Sequence, residues 1–349
     1  MQVIVNDRHA AHQGRMEMFR GALVPCFETP DRVEIVRQAL AARAGFALAG
    51  PDEGFDDTLL QAIHAPAYLD FLAGAWDEWV ALDPANGQCD VLPSYWPAPG
   101  MRRDVLPRSF PARVGYYAFD AGTPLMAGTW TAARQGAACA WTAARRVANG
   151  ARAAFALTRP PGHHAGADFY GGYCFLNNAA LAAQTLRDAG AARVAVLDVD
   201  YHHGNGTQAI FYARGDVHVA SLHGDPLTDY PYYLGHADER GAGAGLGSNH
   251  NLPLARGTSF DTWRQALGVA LAGIAVSGAE ALVVSLGVDT AATDPVAGFA
   301  LLAPDFVRIG QDIAAAGLPT VFVFEGGYAA AALGVNVVNV LEGFAQGGR

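Results

Sequence analysis

Residues 197–206 of the chain read Leu197-Asp198-Val199-Asp200-Tyr201-His202-His203-Gly204-Asn205-Gly206. An apolar run from Val194 leads directly into this segment and is typical of a buried parallel strand. Residues two apart on an extended chain point to the same face, so Asp200 and His202 are expected to project together. A carboxylate and an imidazole on one face supply two of the three protein ligands of a catalytic zinc site. A third ligand is needed to favour a metal site over the alternative, which is a structural Asp–His pair at the end of a strand.

The composition favours one large compact domain. The chain has 349 residues, 51% of them hydrophobic and 16% charged, which is enough to bury a sizeable core. The net charge of −10 argues against a nucleic-acid-binding protein and favours the approach of cationic small molecules. Four scattered cysteines without Cys-x-x-Cys spacing indicate reduced thiols. With no signal peptide at residues 1–5 and no uninterrupted membrane-spanning run, we expect a soluble cytoplasmic protein.

Short apolar segments alternate along the chain with alanine-rich helical ones. The predicted elements are strands over 2–5, 153–157, 193–198, 217–221, 281–286 and 320–324 and helices over 131–148, 178–189, 258–276 and 305–315. Strand–helix alternation of this kind indicates an α/β fold, with an open, mostly parallel sheet and helices on both faces.

Residues 76–128 differ in character from the rest of the chain. They are rich in Trp, Tyr, Phe and Pro and show little periodicity, as in the run Ser94-Tyr95-Trp96-Pro97-Ala98-Pro99-Gly100. A structureless stretch of this length is usually functional or interfacial, and clustered aromatic side chains favour an interface or a pocket wall. We therefore expect residues 1–349 to form a single domain with an insertion at 76–128.

Four peptides with reactive side chains follow predicted strands. They are Arg159-Pro160-Pro161-Gly162-His163-His164-Ala165, Asp200-Tyr201-His202, Ser285-Leu286-Gly287-Val288-Asp289 and Glu325-Gly326-Gly327-Tyr328. Sites in open α/β sheets form outside the carboxyl ends of the strands, so these peptides are expected to converge. Taken singly, the histidine pair fits a surface loop, Asp289 fits a helix N-cap and the two glycines fit a turn. Their joint occurrence at four strand ends favours a metal site with Asp289 as its third ligand.

These peptides resemble the motifs of the histone-deacetylase-like amidohydrolases. The resemblance is carried by residues 160–165, by Gly172-Tyr173-Cys174-Phe175-Leu176-Asn177-Asn178, and by residues 198–206 and 325–328, and it runs over nearly the whole chain. The aromatic insertion is similar to that of the bacterial acetylpolyamine amidohydrolases. The resemblance implies the arginase/deacetylase α/β fold and hydrolysis of acetyl amides to amine and acetate.

The resemblance also implies the metals. One zinc ion (Zn2+) would be held by Asp200, His202 and Asp289, with iron (Fe2+) as the alternative metal. A structural potassium ion (K+) would be held by Asp198, Asp200, His202, Ser221 and Leu222.

The catalytic residues follow from the same resemblance. His164 would act as general base and then as general acid, while His163, paired with Asp198, would serve as an electrostatic partner. Tyr328 would stabilise the tetrahedral intermediate. Many family members place an acidic residue where Asn205 stands, behind the second histidine. An amide orients the ring but does not raise its basicity as a carboxylate does, so we expect activity with a shifted pH profile.

Tyr173 would line a narrow acyl tunnel with Tyr230 as the facing wall, and Gly172 and Gly326 would complete the substrate site. The insertion is not conspicuously acidic, since the run at residues 101–104 is Met-Arg-Arg-Asp. The acidic groups that hold a long polyamine in some relatives therefore have no clear counterpart. This favours a short acetylated diamine, such as acetylputrescine or acetylcadaverine, as the substrate.

Three other functions are weighed against this one. A binuclear-manganese ureohydrolase needs a carboxylate two residues after His202, where Gly204 stands. A nucleotide-binding module fits poorly, because the glycine-rich run at 241–247 has Leu246 at the third glycine position and follows no strand. A lysine deacetylase acting on peptides or proteins needs open access. In the branch that the chain resembles, the insertion builds a dimer that narrows the tunnel, so we expect a homodimer through 76–128.

Overall fold

The computed structural model describes residues 1–347. Its strands are β1 (Gln2–Val5), β2 (Met16–Phe19), β3 (Ala22–Pro25), β4 (Ala47–Ala49), β5 (Ala153–Leu157), β6 (Val194–Asp198), β7 (Val217–Gly224), β8 (Asn249–Leu254), β9 (Ala281–Leu286) and β10 (Thr320–Phe324). Its helices are α1 (Asp31–Ala41), α2 (Pro66–Leu82), α3 (Phe110–Tyr117), α4 (Thr129–Ala148), α5 (Asn178–Asp188), α6 (Asn205–Phe211), α7 (Phe260–Ser277), α8 (Ala303–Ala314) and α9 (Ala330–Gln346). Within residues 1–347, no helix combines the length and apolar character needed to cross a membrane.

Eight of the strands form one parallel sheet in the order β4-β1-β5-β10-β9-β6-β7-β8. Strands β2 and β3 form a separate antiparallel hairpin. The four central strands β5, β10, β9 and β6 lie side by side, so their carboxyl ends meet at one edge. The predicted α/β fold with an open parallel sheet is confirmed.

Helices cover both faces of the sheet, as the continuous apolar runs of the strands require. Along β6, Val194 and Val196 pack in the cluster formed with α2, α3, α4 and α5. The alternate residues Ala195 and Leu197 pack in the cluster formed with α1, α7, α8 and α9. Successive side chains of a strand point to opposite faces, which is why one strand serves two cores.

All six predicted strands are present, although β6 begins at Val194 and β7 continues to Gly224. Strands β2, β3, β4 and β8 were not predicted, nor were helices α1, α2, α3, α6 and α9. The strand β4 has only three residues, and the edge strand β8 carries three polar ones. Helix α9 contacts both α1 and α8, so apolar residues surround much of it and weaken its helical periodicity.

The insertion is more regular than its sequence predicts. Helix α2 runs into residues 76–128 from the preceding segment, and helix α3 lies inside them. Phe110 and Tyr117 of α3 are buried in the core, whereas Tyr95 and Trp96 are 65% and 42% exposed. The aromatic residues of the insertion therefore serve two purposes, because some complete the core and others remain at the surface.

Candidate active site

The four reactive peptides lie at the carboxyl ends of the four central strands, where direct hydrogen bonds join them. The backbone N–H of Gly326, after β10, donates to Asp200 Oδ2 at 2.8 Å. The backbone N–H of Tyr201, after β6, donates to Asp289 Oδ1 at 2.8 Å. Convergence at the strand ends thus brings together residues that are more than 80 positions apart in the chain.

Asp200, His202 and Asp289 each offer one ligand atom, and these atoms lie within 4.8 Å of one another. The two carboxylates are buried, and His202 Nδ1 lies 3.0 Å from Asp289 Oδ2. Burial and the neighbouring Asp200 raise the pKa of Asp289 to about 7. Two buried carboxylates and one imidazole fit a divalent cation, whose charge offsets the repulsion between the acids.

Two glycines are required in this region because a side chain at either position would strike a neighbouring carboxylate. A Cβ at Gly326 would lie 2.7 Å from Asp289 Oδ2 and would overlap Asp200 Oδ2. A Cβ at Gly204 would overlap Asp198 Oδ2. Position 204 is where a second metal would need its carboxylate, and the surrounding atoms leave no room for one.

The tandem histidines are held by different partners. His163 Nδ1 lies 2.9 Å from Asp198 Oδ2, and His164 Nδ1 lies 2.7 Å from Asn205 Oδ1. Burial lowers the pKa of His163, but Asp198 and neighbouring carboxylates outweigh it and raise the pKa to about 10. Burial and the adjacent His163 hold the pKa of His164 well below its usual range. The pair therefore combines a cationic imidazole with a neutral one that can accept a proton.

A cavity of about 360 Å³ opens in front of the histidines. Tyr173 and Tyr328 form one side, with their ring centroids 5.7 Å apart, and the Tyr230 ring lies 5.2 Å from that of His164. Gly172 has φ +54°, and a Cβ there would overlap the His164 ring. The predicted tunnel residues Tyr173 and Tyr230 thus line the cavity with Gly172 beside them.

Three acidic residues that sequence reasoning missed also line this cavity, namely Glu17, Asp120 and Asp229, the last of which hydrogen-bonds to Tyr201 and Arg256. Glu17, on β2, is 1% exposed and accepts a hydrogen bond from the Tyr173 hydroxyl at 2.8 Å. Asp120 accepts one from the Tyr230 hydroxyl at 2.6 Å. The expectation that the acidic groups holding a long polyamine have no clear counterpart was drawn from the run at 101–104, and none of those residues lines the cavity. In the sequence, Glu17 stands between Met16 and Met18, shortly before the glycine turn at Gly21. This alternation of polar and apolar residues was the signal that could have identified a short strand carrying Glu17.

The residues expected to hold potassium lie close to Asp200 and His202 in the sheet. Asp198 and Ser221 are partners in the register of β6 and β7, and Leu222 follows on β7. All three are buried, and Asp198 Oδ1 accepts a hydrogen bond from the Asp200 backbone N–H at 3.1 Å. Ser221 and Leu222 therefore lie within β7, beside the end of β6 from which Asp200 and His202 follow.

Residues 26–344 match the histone deacetylase domain family. The chain is 51% identical over 346 residues to acetylpolyamine amidohydrolase 1 of Pseudomonas aeruginosa, covering 99% of both chains. It is 47% identical over 348 residues to the acetylpolyamine amidohydrolase of Mycoplana ramosa, covering 99% of this chain and 100% of that one. The crystal structure of an acetylpolyamine aminohydrolase from Burkholderia pseudomallei superposes with a TM-score of 0.94 at 40% identity, covering 99% of both chains.

The chain belongs to the histone deacetylase family and has its α/β fold, which is of the arginase type. It is a hydrolase that acts on amides. Members of this family are generally metal-dependent, which agrees with the chemistry of the donor set formed by Asp200, His202 and Asp289.

Proposed function

We propose that this protein hydrolyses the acetyl amide of small N-acetylated amines, above all short diamines such as acetylputrescine and acetylcadaverine. The products are acetate and the free amine. The observation that carries this proposal is one cavity, lined by Asp200 and His202 of the donor set, in which the tandem histidines and Tyr328 meet acidic side chains. Relatives that match over the full length support it, since they are named acetylpolyamine amidohydrolases. The histone deacetylase-like amidohydrolase of Pseudomonas aeruginosa matches only 63% of the chain.

We infer that Asp200, His202 and Asp289 hold one zinc ion, for which iron (Fe2+) is the alternative. When bound, the metal would polarise the amide carbonyl and lower the pKa of a water molecule. The oxygen-rich donor set supports this, because two carboxylates and one imidazole leave a position open for substrate. A structural potassium ion is proposed at the strand ends, held by Asp198, Asp200, His202, Ser221 and Leu222.

The proton transfers are assigned to the tandem histidines. His164, whose pKa is depressed, accepts a proton from the attacking water as the new C–O bond forms. It then donates that proton to the amine nitrogen as the C–N bond breaks. His163, kept cationic by Asp198, stabilises the negative charge that develops on the former carbonyl oxygen. The Tyr328 hydroxyl donates a hydrogen bond to the same oxygen.

Substrate recognition is assigned to the walls of the cavity. The Tyr173 and Tyr230 rings would enclose the methylene chain of the amine, and a cation over an aromatic face gains further attraction. Glu17 and Asp120 provide negative charge for the free ammonium group of a diamine. The protein's net charge of −10 also favours the encounter with a cationic substrate.

A panel of substrates tests the proposal. Acetate release is measured for acetylputrescine, acetylcadaverine, acetylspermidine and an acetyl-lysine peptide, with the bound metal quantified in the same preparation. We expect one metal per chain and the highest kcat/KM for an acetylated diamine. Metal-loaded protein that releases acetate from none of the four refutes the proposal. A peptide preferred over the diamines favours a lysine deacetylase, and two metals per chain favour a ureohydrolase.

We also propose that residues 1–349 act as a single domain and form a homodimer through 76–128. Six large apolar side chains of this segment are 41–65% exposed, namely Leu82, Tyr95, Trp96, Met101, Val105 and Leu106. A second copy that covered them would restrict access to the cavity and would exclude peptides. The cytoplasm is the proposed location, because all four cysteines are free thiols, as a reducing compartment keeps them.

A further inference from the structure

Glu325 links the ends of two neighbouring strands. It follows β10 directly and is completely buried. Its Oε2 atom accepts hydrogen bonds from the backbone N–H groups of Gly162, at 2.6 Å, and His163, at 3.2 Å. Both donors belong to the loop after β5, the strand beside β10. One carboxylate oxygen therefore holds the main chain at the point where the tandem histidines leave the sheet.

Hydrogen bonds also fix the backbone of Glu325, so the position from which its side chain extends is well defined. Its N–H donates to the Leu286 carbonyl oxygen on β9 at 3.0 Å. Its carbonyl oxygen accepts a hydrogen bond from the Arg32 guanidinium at 2.5 Å. The next residue, Gly326, donates to the metal ligand Asp200. The same short peptide thus positions a metal ligand through its backbone and the histidine loop through its side chain.

The histidine loop is also held from its other side. A Cβ at Gly162 would lie 2.5 Å from the backbone nitrogen of Asn178 and 2.8 Å from the Leu176 carbonyl oxygen, so the loop packs tightly against the start of α5. The His163 carbonyl oxygen accepts hydrogen bonds from two N–H groups of α6, at residues 206 and 207, both at 3.1 Å. Without Glu325, the acceptor for the two loop N–H groups would be lost while the other contacts remained.

We propose that Glu325 is the positioning residue of the tandem histidines, because its Oε2 atom fixes the main chain at Gly162 and His163 and thereby aims both imidazoles at the reacting amide. This inference rests on the proposed function. The two N–H groups of the loop require an oxygen acceptor at the position of Glu325 Oε2. A carboxylate is not essential, because an amide oxygen can also accept two hydrogen bonds. A catalytic group displaced by about 1 Å can cost about 10²-fold in rate, so the loss of these two hydrogen bonds is expected to lower kcat.

Three substitutions separate the position of the oxygen from the ability of the side chain to ionise. Glu325→Gln keeps an oxygen acceptor that cannot ionise, Glu325→Met fills similar space without an acceptor, and Glu325→Asp keeps the carboxyl group but withdraws its oxygen by one methylene group. We expect Gln to retain kcat within about 3-fold, and Met and Asp to lose about 10²-fold with little change in KM. Metal content and Tm are measured for each variant, and the Gln–Asp comparison suffices if the Met variant does not fold. A Gln variant as impaired as the Asp variant, or an Asp variant as active as wild type, overturns the inference.

Hydrogen exchange provides a readout that does not depend on activity. The backbone N–H groups of Gly162 and His163 are expected to exchange faster in the Met and Asp variants than in the Gln variant and the wild type. Equal exchange rates of these N–H groups in all four proteins contradict the proposed role of Glu325. A wild-type protein without activity on acetylated amines refutes the proposed function instead, because the exchange measurement still tests the contact.

Discussion

Asn205 Oδ1 lies 2.7 Å from His164 Nδ1. A carbonyl oxygen accepts a hydrogen bond, so it places the proton of the neutral ring on Nδ1 and leaves Nε2 as the proton acceptor. The amide carries no charge, however, and the pKa of His164 is set mainly by burial and by the cationic His163. A charged oxygen acceptor at position 205 would therefore make the proposed general base more basic while keeping the orientation of its ring.

The first prediction follows from this hydrogen bond. Asn205→Asp places a carboxylate against His164 and is expected to raise the pKa of that imidazole by roughly 1 unit or more. A general base must be unprotonated to work, so the acidic limb of the kcat/KM profile moves to higher pH. Asn205→Ala, which also removes the orienting acceptor, is expected to lower kcat without such a shift. An unchanged acidic limb in the Asp variant removes His164 from the role of base.

Tyr328→Phe tests the oxyanion donor. The Tyr328 ring packs 4.6 Å from the Arg32 guanidinium carbon, a contact that Phe retains, so the substitution removes only the hydroxyl. We expect kcat to fall about 10²-fold or more, with a small change in KM, as for the loss of one oxyanion-hole donor. Steady-state kinetics with an acetylated diamine measures this. A kcat close to that of the wild type excludes Tyr328 from the chemistry.

Glu17 gives the cavity a charge that depends on pH. Burial raises the pKa of Glu17 to about 7, and repulsion from Asp120 and Glu28 acts in the same direction. The hydrogen bond from Tyr173 lowers the pKa but does not outweigh them. The nearby Cys26 thiol, whose pKa is raised to about 12, stays neutral. As the pH rises from 6 to 8, Glu17 ionises, and KM for acetylputrescine is expected to fall. Glu17→Gln should keep KM high and nearly independent of pH.

A substrate control accompanies this prediction. N-butylacetamide, which lacks the ammonium group, should show no such fall in KM for either protein.

Ionisation of Glu17 is expected to favour substrate binding but to lower the stability of the fold. A carboxyl group whose pKa is higher in the folded than in the unfolded state stabilises the fold at low pH, and it loses that contribution as the pH rises through about 7. Tm of the Gln variant relative to wild type should therefore increase from pH 5 to pH 8. A Gln variant with the wild-type pH dependence of KM contradicts the role of Glu17.

Gly326→Ala tests the packing around the metal ligands. The added methyl group would strike Asp200 and Asp289, and Gly326 also donates its N–H to Asp200. We expect metal affinity to fall roughly 10- to 100-fold, as for the loss of a partner that orients a ligand. Gly268→Ala in α7 is the matched control, because nothing lies within 4 Å of its added Cβ. Equal metal affinity in the two variants, measured by competition with a chelator, speaks against this placement of the ligands.

The dimer is tested at its proposed apolar surface. Met101→Glu combined with Leu106→Glu places two charges on side chains that are 63% and 41% exposed within the insertion. We expect a monomer by light scattering and a rise in activity on acetyl-lysine peptides as access widens. Val276→Glu, at an 88% exposed position on α7, is expected to leave the dimer intact. A wild-type monomer contradicts the proposal directly.

Sequence reasoning worked best where one strand end carries its own chemistry. The β6 run identified Asp200 and His202, and the rule that sites form at carboxyl strand ends placed His163, Asp289 and Tyr328 beside them. The structure brings these peptides together because parallel neighbours in a sheet place their carboxyl ends at the same edge. The pairing of Asn205 with His164, expected from the resemblance, is also present in the structure.

The cavity walls were harder to predict. Glu17 reaches the site from a four-residue hairpin strand that pairs with β3 alone, so neither its length nor its pattern marks it as part of the main sheet. Asp120 follows a short helix hidden in an aromatic, proline-rich segment. Long-range contacts such as the bond from Tyr173 to Glu17, across 156 positions, depend on tertiary packing that local sequence does not encode.

The close packing of Gly172, Gly204 and Gly326 against His164, Asp198 and the proposed metal ligands has a consequence for engineering. A library that randomises these positions would consist largely of inactive proteins, because any side chain displaces a group that the chemistry needs. Changes in substrate preference are better sought on the β2–β3 hairpin and at residues 231–233, which also line the cavity. The part of the wall that can diversify is thereby separated in the chain from the part that must stay constant.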